Sequence, residues 1–157
     1  MLFIWSVCLK NITSFIRSKL SIAFVNKKPV LPGHVLVSPI RVVQRFRDMT
    51  VDEVSDLFQV VQLVSTEIQT YHRSSSFTMA MQDGEEAGQT VQHVHVHILP
   101  RKAGDFERND DVYSEIERHN NKLHVDKKGG KWRSDEDMAE EASALRNLFD
   151  KIHTQNI

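Results

Sequence analysis

This chain of 157 residues has little of what a small protein uses in place of a hydrophobic core. It holds one cysteine, Cys8, which excludes an internal disulfide, a cysteine-built zinc module and a two-cysteine redox pair, and suits a reducing compartment. Six glycines and four prolines, beside 40% hydrophobic and 26% charged residues, are wrong for a collagen-like or disordered chain. The apolar stretch 1–9 (MLFIWSVCL) falls far short of the roughly 20 residues that cross a bilayer. It also lacks the basic start and small-residue cleavage pattern of a secretory signal. Charge of one sign is missing too. A net charge of −1 gives no general pull toward nucleic acid or an anionic membrane, and neither is expected as a partner.

Acidic residues are absent from one region only: residues 1–47 carry eight Lys/Arg and no Asp/Glu, and the remainder is acidic. That asymmetry reads either as a dipolar surface or as a basic half facing an anionic ligand. The acid-free stretch to Lys19, with Lys10, Arg17 and several Ser/Thr, has some of the composition of a mitochondrial transit segment; otherwise it is an arm or first strand packed on the domain. The cytoplasm is the expected location, with a nuclear or mitochondrial pool as the alternative.

The length is that of one domain, enough to bury roughly 70% of the unfolded surface. Residues 20–25 (LSIAFV) and 34–37 (HVLV) read as strands, separated by Asn-Lys-Lys-Pro and Pro-Gly turns. Thr50 and Glu53 form a capping box for a helix over about 51–70, whose apolar positions are Val51, Val54, Leu57, Phe58, Val61, Val64 and Ile68. Residues 76–82 and 91–99 read as two strands of a hairpin at the centre of the sheet, joined through a turn at 83–88. A polar loop at 102–111, a short helix at 111–120 and a Lys/Gly break at 127–131 follow. The last helix is capped by Ser134 and Asp137, with Met138, Ala142, Leu145, Phe149 and Ile152 in one stripe. The fold class is α+β: a mainly antiparallel sheet with helices on one side.

One segment is unlike ordinary core sequence. In residues 93–99 (HVHVHIL) His93, His95 and His97 alternate with aliphatic residues. On a strand this alternation sends Val94, Val96 and Ile98 into the core and sets the imidazoles in a row on the opposite face, about 7 Å apart. Burying such a row is costly unless it is hydrogen-bonded or used. Two uses fit. Two histidines can share a zinc ion with a third ligand from elsewhere. Alternatively, a neutral imidazole attacks phosphorus while its neighbours bind phosphate oxygens and assist the leaving group. No carboxylate lies in the strand to act as a metal-site base. Just upstream, Gly88, Gln89 and Thr90 offer a turn of backbone N–H groups, an amide and a hydroxyl suited to phosphate oxygens, with Gln82 across the hairpin.

The run 93–99 resembles the histidine triad (HIT) superfamily. The longer string 81–91 (MQDGEEAGQTV), continuing through the triad to 100–106 (PRKAGDF), is similar to its fragile histidine triad, or Fhit, branch; Val25-Asn26, residues 32–37 (PGHVLV) and 108–110 (RND) agree. The resemblance assigns residues 20–153 to a HIT domain, with 1–19 an arm that departs from the family pattern and 154–157 a tail. It implies a five-stranded, dimer-forming fold and hydrolysis of dinucleoside polyphosphates, diadenosine triphosphate giving AMP and ADP. It makes His95 the nucleophile of an adenylyl-histidine intermediate, its other ring N–H held by an acceptor such as a backbone carbonyl. His97 becomes the phosphate-binding histidine. Gln82, Gly88, Gln89, Thr90 and Val91 hold phosphates, Asn26 binds ribose, and His34 and His93 support the triad. Mg or Mn accompanies the substrate phosphates, with no protein-bound metal. Tyr113 matches a tyrosine that can be phosphorylated. Two other readings remain: a signalling protein whose ligand-bound dimer is the active species, and an adenosine phosphoramidate hydrolase of another branch.

Overall fold

Short β-branched runs broken by Gly and Pro build the sheet. In the computed structural model, which describes residues 12–120 and 133–155, the first strands are β1 (Ser14–Arg17), β2 (Ser21–Val25) and β3 (Val35–Pro39). After α1 (Val51–Tyr71) come β4 (Ser76–Met81) and β5 (Val96–Arg101), then α2 (Asp111–Asn120) and α3 (Asp135–Gln155). The five strands form one antiparallel sheet in the order β1-β2-β3-β5-β4.

The cross-strand register sorts side chains onto two faces. Ala23, Val37 and Val96 align, as do Val25, Val35 and Ile98, and all six belong to the main core. Leu57, Val61, Val64 and Ile68 of α1 and Met138, Ala142, Leu145 and Phe149 of α3 close over this face. Leu57, Val64 and Ile68 are fully buried, each contributing roughly 1.5–3 kcal/mol of transfer free energy. The opposite face carries Phe24, Leu36, His97 and Ala80 in one row. Next to it Leu99 packs with Val112 and Ile116 of α2. The two long helices thus share one face, while the short helix serves the face of the histidines.

The capping box at Thr50 and Glu53 is present, and Arg41 clamps the Glu53 carboxylate with bonds of 2.6 and 2.7 Å, holding its pKa down at about 2. Val51 and Phe58 are exposed rather than core-facing, and Val60 is buried instead: the stripe is rotated from the expected one. β1 lies within the segment read as an arm or first strand; Phe15 stacks on Phe149 at 5.6 Å. β4 and β5 pair as expected, but β4 is the sheet's edge and not its centre, because β3 takes the other side of β5. The expected strand at 91–99 starts only at Val96. Residues 93–94 bond instead to the irregular segment after β3, Val94 N–H donating to Val43 O at 2.7 Å. Cys8, Lys10, the 127–131 break and residues 156–157 of the tail lie outside the described residues, as does the side chain of Ile152.

Candidate active site

Where β5 leaves the ladder, the strands on either side set two polar side chains beside it. Extending the β3–β5 register one step past Val37 and Val96 sets Ser38 opposite His95, and extending the β4–β5 register past Met81 and Val96 sets Gln82 there too. His95 is therefore flanked by Ser38 and Gln82, with His97 and Leu36 one pleat along. The His95 and His97 rings lie 5.0 Å apart, centre to centre, at 70°.

The proton positions on these rings follow from fixed backbone groups. Val30 N–H donates to His34 Nδ1 at 3.1 Å, so the His34 proton sits on Nε2. That N–H donates to His97 Nδ1 at 2.9 Å, which places the His97 proton on Nε2. His97 Nε2 is sealed from solvent and has no partner among the described residues. His95 is oriented the other way. Its Nδ1–H donates to the carbonyl of His93 at 2.8 Å, leaving the Nε2 lone pair in touch with solvent and without a partner among the described residues. One ring presents a lone pair and its neighbour a proton.

Burial keeps both rings neutral. Desolvation depresses the pKa of His95, against the opposing effect of the His93 carbonyl, and depresses that of His97 well below the ordinary value, with His95 and His34 adding repulsion. His93 does not stand in a row with them. Its Nε2–H donates to Pro39 O at 2.9 Å and its Nδ1 accepts Val43 N–H at 2.9 Å, so both nitrogens are spent holding residue 93 to the segment after β3.

Desolvation moves the His93 pKa from 6.5 down to about 4. The folded protein therefore refuses a proton that the unfolded chain accepts. Stability is full above pH 6.5 and falls as pH drops toward 4, by about 3 kcal/mol from this residue. Urea midpoints measured from pH 8 to 4 are expected to drop steeply between 6.5 and 4; a flat curve through that window contradicts the burial of a neutral His93.

The loop before the triad is built on two glycines. Gly84 (φ 108°) starts a 3-10 turn at Glu85–Ala87, and Gly88 ends it in the left-handed region at φ 83°. A Cβ at Gly88 would lie 2.7 Å from Gln82 Nε2, so glycine here serves both the turn and the close approach of Gln82. Gln89 accepts Gly84 N–H at 2.8 Å and donates one amide N–H to Gln44 O at 2.9 Å, which braces the loop. Among the described residues none accepts a hydrogen bond from the N–H of Thr90 or Val91. Gly88→Ala is expected to cost about 1–2 kcal/mol from its backbone angle alone. It should also weaken substrate binding by displacing Gln82, read as a lower Tm together with a raised KM.

Asn26, at the end of β2, accepts Lys28 N–H at 3.1 Å and rests its amide nitrogen 3.2 Å from His34 Nε2. Tyr113 is exposed on α2. Sequence reasoning missed the segment 38–46. Ser38 Oγ donates to Val94 O at 2.5 Å, Val43 binds His93 and Val94, Gln44 binds Gln89, and Phe46 N–H donates to Asp83 at 2.8 Å. Four of these contacts use main-chain groups of 43–46, which no side-chain pattern announces. Phe24 and Leu36, an apolar platform beside His97, were visible only as strand alternation.

The HIT domain family model matches residues 10–104. The chain is 51% identical over 140 residues to a bifunctional bis(5'-adenosyl)-triphosphatase/adenylylsulfatase of Arabidopsis thaliana, covering 87% of this chain and 77% of that one. It is 47% identical over 137 residues to a bis(5'-adenosyl)-triphosphatase of Dictyostelium discoideum, covering 87% and 85%. Among solved structures it superposes on a Plasmodium falciparum diadenosine triphosphate hydrolase with a TM-score of 0.72 at 30% identity, covering 91% of this chain and 80% of that one.

Proposed function

The chain belongs to the HIT family, and from that premise we propose that it hydrolyses dinucleoside polyphosphates, cleaving diadenosine triphosphate to AMP and ADP. The observation that carries the reading is the opposed pair at the start of β5: a solvent-touching lone pair on His95 Nε2 beside an N–H on His97 Nε2 that has no acceptor among the described residues. Relatives named as bis(5'-adenosyl)-triphosphatases support the choice of substrate.

In the first step the His95 lone pair attacks the α-phosphorus, a P–N bond forms, and the P–O bond to ADP breaks with its electrons leaving on ADP. His97 Nε2–H donates to the phosphate oxygen where charge develops. Nδ1–H of the adenylylated imidazolium remains on the His93 carbonyl, which stabilises the positive charge. In the second step water attacks phosphorus, the P–N bond breaks toward His95, and AMP and a proton leave. Thr90 and Val91 N–H groups and Gln82 hold phosphate oxygens, and Gln89 keeps their loop in place. Asn26 takes a ribose hydroxyl, and Phe24 and Leu36 support a base. Mg or Mn bound to the substrate would neutralise its phosphates.

The test is incubation with diadenosine triphosphate and separation of products. Equimolar AMP and ADP are expected; an absence of turnover with magnesium present contradicts the proposal.

The active species is a dimer in this reading. β4 is an open sheet edge with Phe77 and Met79 exposed, which suits pairing with a second copy. Sedimentation equilibrium at micromolar concentration should return the mass of two chains; a single-chain mass contradicts pairing through β4.

A further inference from the structure

The nucleophile's orientation rests on a carbonyl, and that carbonyl rests on a segment the reaction itself never touches. His95 Nδ1–H is held by His93 O. The same peptide unit donates its other end, Val94 N–H, to Val43 O at 2.7 Å. A peptide whose N–H is engaged is a stronger acceptor at its C=O, so this contact polarises the group that holds the imidazole. The His93 ring fixes one side of that unit through Pro39 and Val43. The other side is Val94, and its carbonyl has left the strand ladder.

Ser38 supplies what the ladder no longer does. It is fully buried, stands opposite His95 in the extended register, and donates Oγ–H to Val94 O at 2.5 Å. We infer that Ser38 is a positioning residue for the nucleophile, fixing the Val94 carbonyl so that the His93–Val94 peptide, and with it the His95 ring, keeps its attacking orientation. The inference rests on His95 as nucleophile. It adds a residue that touches no substrate and lies on a different strand.

The effect is confined to a predictable step. With Ser38→Ala, Val94 O loses its donor, the turn at 93–95 relaxes, and the His95 lone pair samples directions away from phosphorus. Misplacement on the order of 1 Å costs up to about 10²-fold in rate. The phosphate loop, tied to Gln44 and Phe46, is untouched, so binding should hold. Ser38→Cys keeps a weak donor of similar shape and should lie between the two.

The experiment is a single-turnover measurement of adenylylation with diadenosine triphosphate on wild type, Ser38→Ala and Ser38→Cys, well below each melting temperature, with Kd for a non-hydrolysable analogue alongside. The expected result is a fall of about 10- to 100-fold for alanine, a smaller fall for cysteine, and Kd within about twofold of wild type for both. A purely structural role would lower the melting temperature of both variants while the folded fraction reacts at the wild-type rate, and that outcome overturns the inference. So does a rate loss matched by an equal loss of affinity. If wild type itself forms no adduct, the nucleophile assignment fails, which this design separates from failure at Ser38.

Discussion

Replacing His95 with asparagine is expected to lower turnover of diadenosine triphosphate by roughly 10⁴- to 10⁶-fold, the scale seen when a nucleophile is removed from an otherwise intact site. Asparagine is the informative choice. Its side-chain amide reaches about as far as Nδ1 of imidazole and can still donate to His93 O, the bond that His95 makes at 2.8 Å. What disappears is the Nε2 lone pair, with shape and local hydrogen bonding kept. Affinity for a non-hydrolysable analogue should therefore stay close to wild type, because phosphate and base contacts come from 82–91, Phe24 and Leu36. The comparison to make is kcat against analogue Kd. A variant that retains even one hundredth of the wild-type kcat requires another nucleophile or direct attack by water.

His34→Leu is expected to produce the second largest loss, about 10²-fold in kcat, through a residue that never meets phosphorus. In the native site the direction of every proton from Val30 to His97 is set by one backbone N–H. Leucine removes the acceptor for Val30 and the donor for His97 Nδ1. His97 is then free to carry its proton on Nδ1 and turn a lone pair toward an anionic phosphate, which repels where the native ring attracts. The buried His97 Nδ1 also loses its partner, at about 1–3 kcal/mol, and the half-buried Val30 N–H loses its own, so a lower melting temperature accompanies the loss of rate. His34→Gln separates the two effects. A glutamine amide can replace Nε2–H as the donor to His97, and it should recover most of kcat while remaining less stable than wild type. Equal kcat in the leucine and glutamine variants would mean that the proton on His97 is not set by His34.

Much of this site is legible in the sequence because alternation on a strand is a strong constraint. Val94, Val96 and Ile98 had to face the core, and they do. His95 needed an acceptor for one N–H, and the acceptor is a carbonyl two residues back. The errors come from the same assumption carried too far. Regular alternation through 91–99 implies a continuous strand, yet i to i+2 and cross-segment bonds around His93 replace the ladder, and β5 starts only at Val96. A sequence records which side chains alternate; it does not record that a main-chain N–H at Val43 outcompetes a neighbouring strand. Gln89 is similar. An amide beside a glycine turn suggested a phosphate ligand; the bracing bonds it also makes, to Gly84 and Gln44, were not legible because both partners are backbone groups. The brace over 38–46 was hidden because most of its partners are backbone atoms.

Underlying these results is one claim, that a neutral His95 bonds covalently to phosphorus before water does. Rapid mixing with diadenosine triphosphate, acid-free quenching within the first turnover and peptide mapping by mass spectrometry address it directly. The account predicts an acid-labile adenylyl group on His95, formed as fast as ADP is released and decaying as AMP appears. ADP and AMP released together with no adduct on any residue, or an adduct mapped to a side chain other than His95, would contradict it.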